Sequence, residues 1–431
     1  MNSKSAIGPV GQDRRAIWSW CFFDWANSAY PTVIATFVFG AYVTKAVAET
    51  PEIGTAQWGY AMGLSGFLIA LIAPFVGAAA DSTGSRKPWL AAFTSLCIVT
   101  TALLWFVEPD PAFLFLALGL VVVSNLAFET ATVFYNALLP EVAPADKIGR
   151  ISGWAWGLGY AGGLACLVVA LFGLIQTDTP PFGLDPEAQE PVRAAVLLVA
   201  LWYGLFSLPL FLFVPDRQSK GDGPKTPALQ AMAQSGKRLW ATLKMLKEER
   251  TIAWFLFARM LYTDGLNTMF AFGGIYAAGT FGMSFADIIL FGILMNVAAG
   301  SGAALFGSLD DRLGSKPTIL IGLVGLIGFG CVVLLAPDVT WFWIGALCMG
   351  AFFGPVQASS RTLMARLAPE DMRGELFGLF ALSGRITAFL GPIVLALVTD
   401  ITNSQRLGMA SVLLFLIPGC LLLWWKVRAV Q

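Results

Sequence analysis

Twelve predominantly apolar runs, each about the length of a membrane-crossing helix, follow one another along this chain, and a water-soluble fold cannot be built from such a pattern. Crossing the ~30 Å hydrocarbon core of a bilayer takes about 20 helical residues. Lipid offers the backbone no partner outside its own helix. The chain is therefore expected to be an all-α membrane protein with twelve transmembrane helices, at 17–47, 57–80, 88–107, 112–139, 149–175, 192–214, 251–281, 285–308, 316–336, 340–367, 374–399 and 406–428. Composition agrees: 57% of the 431 residues are apolar and 13% are charged, against roughly 25% charged in soluble domains. The first residues are polar and the first apolar run is a full span, so no cleaved signal peptide is expected.

Basic and acidic residues balance at 27 each, so bulk charge gives no case for nucleic acid as a partner. Their placement says more. One side of the alternating loops holds 21 Lys and Arg, including Lys4, Arg14, Arg15, Arg86, Lys87, Lys147, Arg150, Arg312, Lys316, Arg366 and Arg373; the other holds three, Lys45, Arg193 and Arg406. By the positive-inside rule both termini are cytoplasmic. Cys21, Cys97, Cys166, Cys331, Cys348 and Cys420 fall one per apolar run, without a CxxC spacing and without any histidine. They read as packing residues, with no metal and no cofactor expected.

The expected domains are 1–214 and 251–431, two six-helix bundles, joined by a cytoplasmic segment 215–250. That segment opens with PDRQSKGDGPKTP, a flexible linker by composition. Leu229, Met232, Leu239, Leu243 and Leu246 then recur at helical spacing, with Lys237, Arg238, Lys244 and Lys247 on other faces. A basic amphipathic helix at the lipid surface is expected there. The two halves repeat each other in parallel. Gly77, Asp81, Gly84 and Arg86 after span 2 match Gly307, Asp311, Gly314 and Lys316 after span 8. APADKIG (Ala143 to Gly149) matches APEDMRG (Ala368 to Gly374), with Gly153 and Gly378 beyond; Asp24, Asn27 and Ser28 match Asp264, Asn267 and Thr268.

With these repeats the chain resembles the major facilitator superfamily, whose loop signature of Gly, Asp, Gly and a basic pair stands here as Gly77, Asp81, Gly84, Arg86 and Lys87. The second copy has Pro317 where another basic residue would stand. CFFDWANSAYPTVIATFVFGAY in span 1, SGWAWGLGYAGG in span 5 and ARMLYTDGLNTMFAFGGIYAAG in span 7 resemble bacterial relatives of the autophagy-related vacuolar amino-acid effluxers. The resemblance implies two pseudo-symmetric bundles that rock about a cavity lined by spans 1, 4, 7 and 10. It also implies gating by the two loops, Gly77, Asp81, Gly84, Arg86 and Lys87 in one, Asp311, Arg312, Gly314 and Lys316 in the other.

A charge at mid-membrane costs about 2.5–3.5 kcal/mol on insertion scales and so marks function by default. Six qualify: Asp24, Glu129, Arg259, Asp264, Arg361 and Arg385. The three- and four-residue spacings of Asp24, Asn27, Ser28 and of Asp264, Asn267, Thr268 put carboxylate, amide and hydroxyl on one helix face. Each triplet is a candidate solute lining or proton acceptor; the alternative is a structural contact, such as Asp24 with Arg259. Glu129, near Tyr135 and Asn136, is the first candidate for proton coupling, unless an arginine pairs it. Arg259 and Arg361 suit a solute carboxylate; Arg385, on a peripheral span, reads as structural. Tyr30, Trp154, Trp156, Tyr160 and Gln357 are further lining candidates, and Gly157, Gly159, Gly162 and Gly163 allow close helix approach.

The expected function is secondary transport of a small organic solute by alternating access. An amino acid, other zwitterion or organic anion is favoured, with export implied by the resemblance and with protons as a coupling partner. The chain is expected to work as a monomer in the bilayer of a bacterial inner membrane. The competing reading is a receptor or scaffold that keeps the fold without transport. An enzyme is not expected, since histidine, metal clusters and a GxSxG elbow are all missing from the sequence.

Overall fold

The structure is a computed structural model that describes residues 13–177, 179–215, 228–283 and 285–428. Lys4 and nearly all of the expected flexible linker, 216–227, lie outside the described residues, as do the side chains of Leu229, Met232, Arg238, Leu243 and Lys247. The described chain is all-helical. Ten of its helices are long and apolar enough to cross a membrane. Spans 1 to 6 are Arg14–Val47, Pro51–Thr83, Lys87–Phe106, Pro111–Val142, Ala145–Ile175 and Glu190–Phe213; spans 8, 9, 10 and 12 are Phe285–Leu313, Ser315–Leu335, Val339–Leu367 and Gln405–Lys426. Span 7, Arg250–Phe281, has the length but carries several charged residues, and span 11 is interrupted. Together they make the twelve helices.

Span 11 corrects an expectation of one continuous helix over 374–399. It runs as Arg373–Ser383 and resumes as Leu390–Thr402. Between them most bonds are of the three-residue type, such as Arg385 N–H to Leu382 O at 3.0 Å and Leu390 N–H to Thr387 O at 2.8 Å, with a single α-type bond from Ile386 N–H to Leu382 O at 2.9 Å. Pro392, three residues into the second piece, has no N–H to offer the Ala388 carbonyl, which removes one rung of the α-ladder at the end of the interruption. Span 1 departs from α geometry as well: from Tyr30 to Phe37 it is π-helical, with Pro31 in its first turn just after the Asp24 to Ser28 segment.

Spans 2 and 8 run further than expected, which moves Asp81 and Asp311 from loops onto the last helical turns. Each helix ends only where a glycine takes a positive φ, Gly84 at 74° and Gly314 at 91°. Within the first half span 1 packs on spans 5 and 6, and span 4 on spans 2 and 3; in the second, span 10 packs on spans 8 and 9, and span 7 on span 12. Spans 5 with 8 and 2 with 11 make the broad contacts between halves. Helix Ala228–Glu248 packs along span 2, with Gly236 against Phe75, Leu239 and Leu246 half-buried, and Trp240, Lys237 and Lys244 exposed.

Candidate transport site and closing latch

Repeats that the sequence aligns in parallel meet crosswise in space. Asp81, at the end of span 2, accepts the backbone N–H groups of Gly374 and Glu375 at 3.1 and 2.9 Å, which begin span 11. Asp311, at the end of span 8, accepts those of Gly149 and Arg150 at 2.7 and 3.0 Å, which begin span 5. Each half thus caps a helix N-terminus of the other, where unpaired N–H groups and the helix dipole favour an anion. The glycines are needed for the approach: a Cβ on Gly374 would stand 2.8 Å from the Asp81 carboxylate, and one on Gly77 would run into the Gly374 carbonyl.

Arg86 reinforces the first copy. Its guanidinium bonds Asp81 at 2.7 and 2.9 Å, Glu141 at 2.6 Å and the Glu370 carbonyl at 2.8 Å. Burial opposes its charge, but the two carboxylates outweigh that and hold its pKa above the ordinary arginine range. In the second copy Arg366 takes the equivalent place, 2.9 Å from Asp310. Lys87 and Lys316 match in a different role, donating to the last carbonyls of their bundles' sixth helices, Val214 and Trp424, at 2.5 and 2.9 Å. Arg312 is exposed.

Deeper in, Gly153 sits against the Ala303 carbonyl and Gly157 3.1 Å, by its would-be Cβ, from the Gly300 carbonyl, so spans 5 and 8 touch backbone to backbone. Gly159, Gly162 and Gly163 face Ser28, Trp25 and Thr32 of span 1 instead. Gly153→Val is expected to prop this seam open. In a background retaining only Cys21, which is buried with its thiol toward Ile151, a membrane-impermeant thiol reagent added on the termini side should label the variant at least about tenfold faster, corresponding to ~1.4 kcal/mol of shifted population. Unchanged labelling would mean the seam tolerates the side chain.

Arg361 of span 10 enters the first half. It bonds Asp24 at 3.0 Å, the Ser152 hydroxyl and carbonyl at 3.0 and 2.7 Å, and Asn136 at 3.4 Å. Its guanidinium lies 4.9 Å from the Trp20 ring and 5.7 Å from Tyr135 and Trp156. It is 3% exposed and Asp24 13%. Asp24 therefore pairs with Arg361, not with Arg259. Trp20 and Tyr135 brace the box by exchanging hydrogen bonds to each other's carbonyls, both 3.1 Å.

Arg259 has no acid within 4 Å among the described residues; it bonds the Phe380 carbonyl and Ser383 hydroxyl and covers the Phe380 ring at 3.5 Å. Glu129 is paired across the halves by Arg385. That corrects the expectation of a peripheral Arg385: the break in span 11 turns it toward span 4. Asp264 is 2% exposed. One carboxylate oxygen takes the Gly391 N–H at 3.2 Å, at the start of the resumed span 11, and the other has no hydrogen-bond partner. No basic group lies within 4 Å of it among the described residues.

Thr268 turns its hydroxyl back to the Asp264 carbonyl at 2.8 Å, while Asn267 is exposed, so the triplet is split between two faces. In span 1 Asn27 is buried and accepts from Ser28 at 3.4 Å. Tyr30 bonds Ser124 at 2.6 Å beneath Phe128. Gln357 reaches the Tyr160 hydroxyl across the halves at 3.3 Å, and Trp154 stacks on Trp18. Sequence reasoning missed Ser152, Glu141 and Arg366. None carries a motif, though Glu141 and Arg366 occupy matching positions at the ends of spans 4 and 10, just before the repeated APADKIG and APEDMRG segments.

The architecture is that of the major facilitator superfamily, and the class this fold defines is a membrane transporter. The chain belongs to the family described as "Vacuole effluxer Atg22 like", which it matches over residues 55–429. It is 29% identical over 411 residues to YxiO of Bacillus subtilis (strain 168), described as an uncharacterized MFS-type transporter, covering 94% of this chain and 93% of that one. It is 24% identical to autophagy-related protein 22 of Yarrowia lipolytica (strain CLIB 122 / E 150), covering 91% and 77%. Among solved structures, the proton:xylose symporter XylE superposes with a TM-score of 0.75 at 13% identity, over 97% and 96% of the chains. The human organic anion transporter MFSD10 does so at 0.71 and 13%, over 95% and 99%.

Proposed function

We propose that this protein is a secondary active transporter that carries a small carboxylate-bearing solute, an amino acid, other zwitterion or organic anion, by alternating access, coupled to protons. One observation carries the reading. Among the described residues, the polar contacts that join the halves, from Asp81 and Asp311 through Arg361 to Glu129 with Arg385, lie along their spans between the middle and the ends nearer the termini. Contacts of this kind exchange for water without unfolding either bundle, as rocking about a central site requires. The loop charge bias makes the side of the termini cytoplasmic, so the closed side is inward. Export is favoured by the effluxer description of the family.

Asp264 is our candidate seat for the coupled proton. It can take up and release a proton without breaking an ion pair, which Asp24 and Glu129 cannot. Purified protein in proteoliposomes, screened for flux of amino acids, dipeptides and organic acids with and without a pH gradient, tests the proposal. Gradient-driven flux supports it; binding without flux in either direction would favour a receptor or scaffold.

Within the same reading, Asp81→Asn removes the anion from the span 11 N-terminus and one partner of Arg86. The inward face should open more readily, by up to ~2 kcal/mol for a partly buried helix-end charge. Termini-side labelling of Cys21 should accelerate accordingly, and Asp311→Asn should act in the same direction. Slower labelling in either variant would contradict a closing role.

A further inference from the structure

We propose that Arg385 is the anchor for the carboxylate of the transported solute, and that Glu129 is the internal carboxylate it returns to between turnovers. This rests on the transporter reading above and assigns the solute's binding group within it.

Three features of the structure converge on Arg385. Its side chain is 37% exposed at mid-depth of a membrane span, while it points across the interface to Glu129 of the other half. Lipid is a strongly unfavourable surrounding for a guanidinium at that depth, so the exposed part of Arg385 needs a polar partner. Its backbone belongs to the turn segment between the two pieces of span 11, where three-residue bonds, Arg385 N–H to Leu382 O at 3.0 Å and Ala388 N–H to Arg385 O at 3.2 Å, give it a direction a continuous α-helix would not. Arg361, by contrast, is 3% exposed with its hydrogen bonds directed to Asp24, Ser152 and Asn136.

Local charge adds a reason. Arg259 lies directly behind, its guanidinium 2.9 Å from where a Cβ on Gly384 would stand, within electrostatic reach of both Arg385 and Glu129. Two guanidiniums then share one carboxylate, which leaves one positive charge unbalanced. A solute carboxylate neutralises it and matches the planar, two-pronged donor geometry of arginine. Glu129 is the competitor: while it occupies Arg385, apparent affinity for the solute falls by the fraction of time the guanidinium is free. The exchange also breaks the bond that ties span 4 to span 11, so solute binding and release of the halves become one event.

The test uses purified full-length protein and a panel of straight-chain carboxylates from acetate to hexanoate, the proteinogenic amino acids, and the matching amides, read by thermal shift. Carboxylates, and not their amides, should stabilise the wild type. Glu129→Gln should bind the same compounds about tenfold more tightly. Arg385→Gln should lose the response while remaining monodisperse, and Arg385→Lys should keep a weakened one. The proposal is overturned if no carboxylate stabilises Glu129→Gln, or if a carboxylate binds Arg385→Gln within about twofold of wild type. Counterflow in proteoliposomes separates the two readings. A carboxylate bound through Arg385 but never carried removes the transporter reading and leaves the anchor, whereas a solute carried equally well by Arg385→Gln removes the anchor and leaves the transporter.

Discussion

Arg361→Ala is expected to be the most damaging single substitution in the protein. It removes the only cation within 4 Å of Asp24 among the described residues and empties a box walled by Trp20, Tyr135 and Trp156. Removing one partner of a buried ion pair typically costs about 3–5 kcal/mol, because the other charge stays buried and uncompensated. The melting temperature in detergent should fall by several degrees or more, and flux should be lost. Asp24→Asn, which leaves a neutral acceptor beside the guanidinium, should cost less. Combining Asp24→Asn with Arg361→Gln should recover much of the stability, since neither charge is then stranded, but not the flux if the tie takes part in closing the inward face. An Arg361→Ala protein that melts with the wild type would show that the tie carries no stability.

The second large effect concerns coupling. Asp264→Asn preserves the shape and the bond from Gly391 but cannot bind and release a proton. Uphill accumulation driven by a pH gradient should collapse at least about tenfold, which is ~1.4 kcal/mol of lost coupling. Solute exchange at equal pH on both sides should persist, since it needs no net proton movement. Glu129→Gln should retain gradient dependence. The reverse pattern, with coupling lost in Glu129→Gln and kept in Asp264→Asn, would move the proton seat to Glu129. The bond from Gly391 gives the protonation step a structural consequence, because Asp264 holds the resumed half of span 11 to span 7. Neutralising the carboxylate weakens that hold beside the segment that carries Arg385.

Much of this architecture was legible in the residues. Span lengths and the parallel repeats depend on local physics: the thickness of the hydrocarbon layer, the period of the helix and the turn glycines at Gly84 and Gly314. The repeat matches even marked both partners of each helix-end contact between the halves, Asp81 with Gly374 and Asp311 with Gly149. They did so by likeness, not by contact. The interruption of span 11 was not legible in the same way: Pro392 lies beside it, but Pro74, Pro209, Pro355 and Pro418 sit inside unbroken helices, so a proline alone does not specify a break.

What the sequence by itself determined was the class of fold, the doubling of a six-helix unit, and a short roster of intramembrane charges. Which charge meets which was decided only by tertiary packing. Asp24 lies 337 residues from Arg361, and nothing local distinguishes Arg361 from Arg259 as its partner. The choice was made where span 10 crosses spans 1 and 5 and the guanidinium found the Ser152 carbonyl and the Trp20 face at one depth. Arg385 shows the same limit. Its pairing with Glu129 depends on a backbone turn that directs one side chain across the interface, and the rotation of a helix about its axis is settled by the neighbours it packs against, not by its own residues.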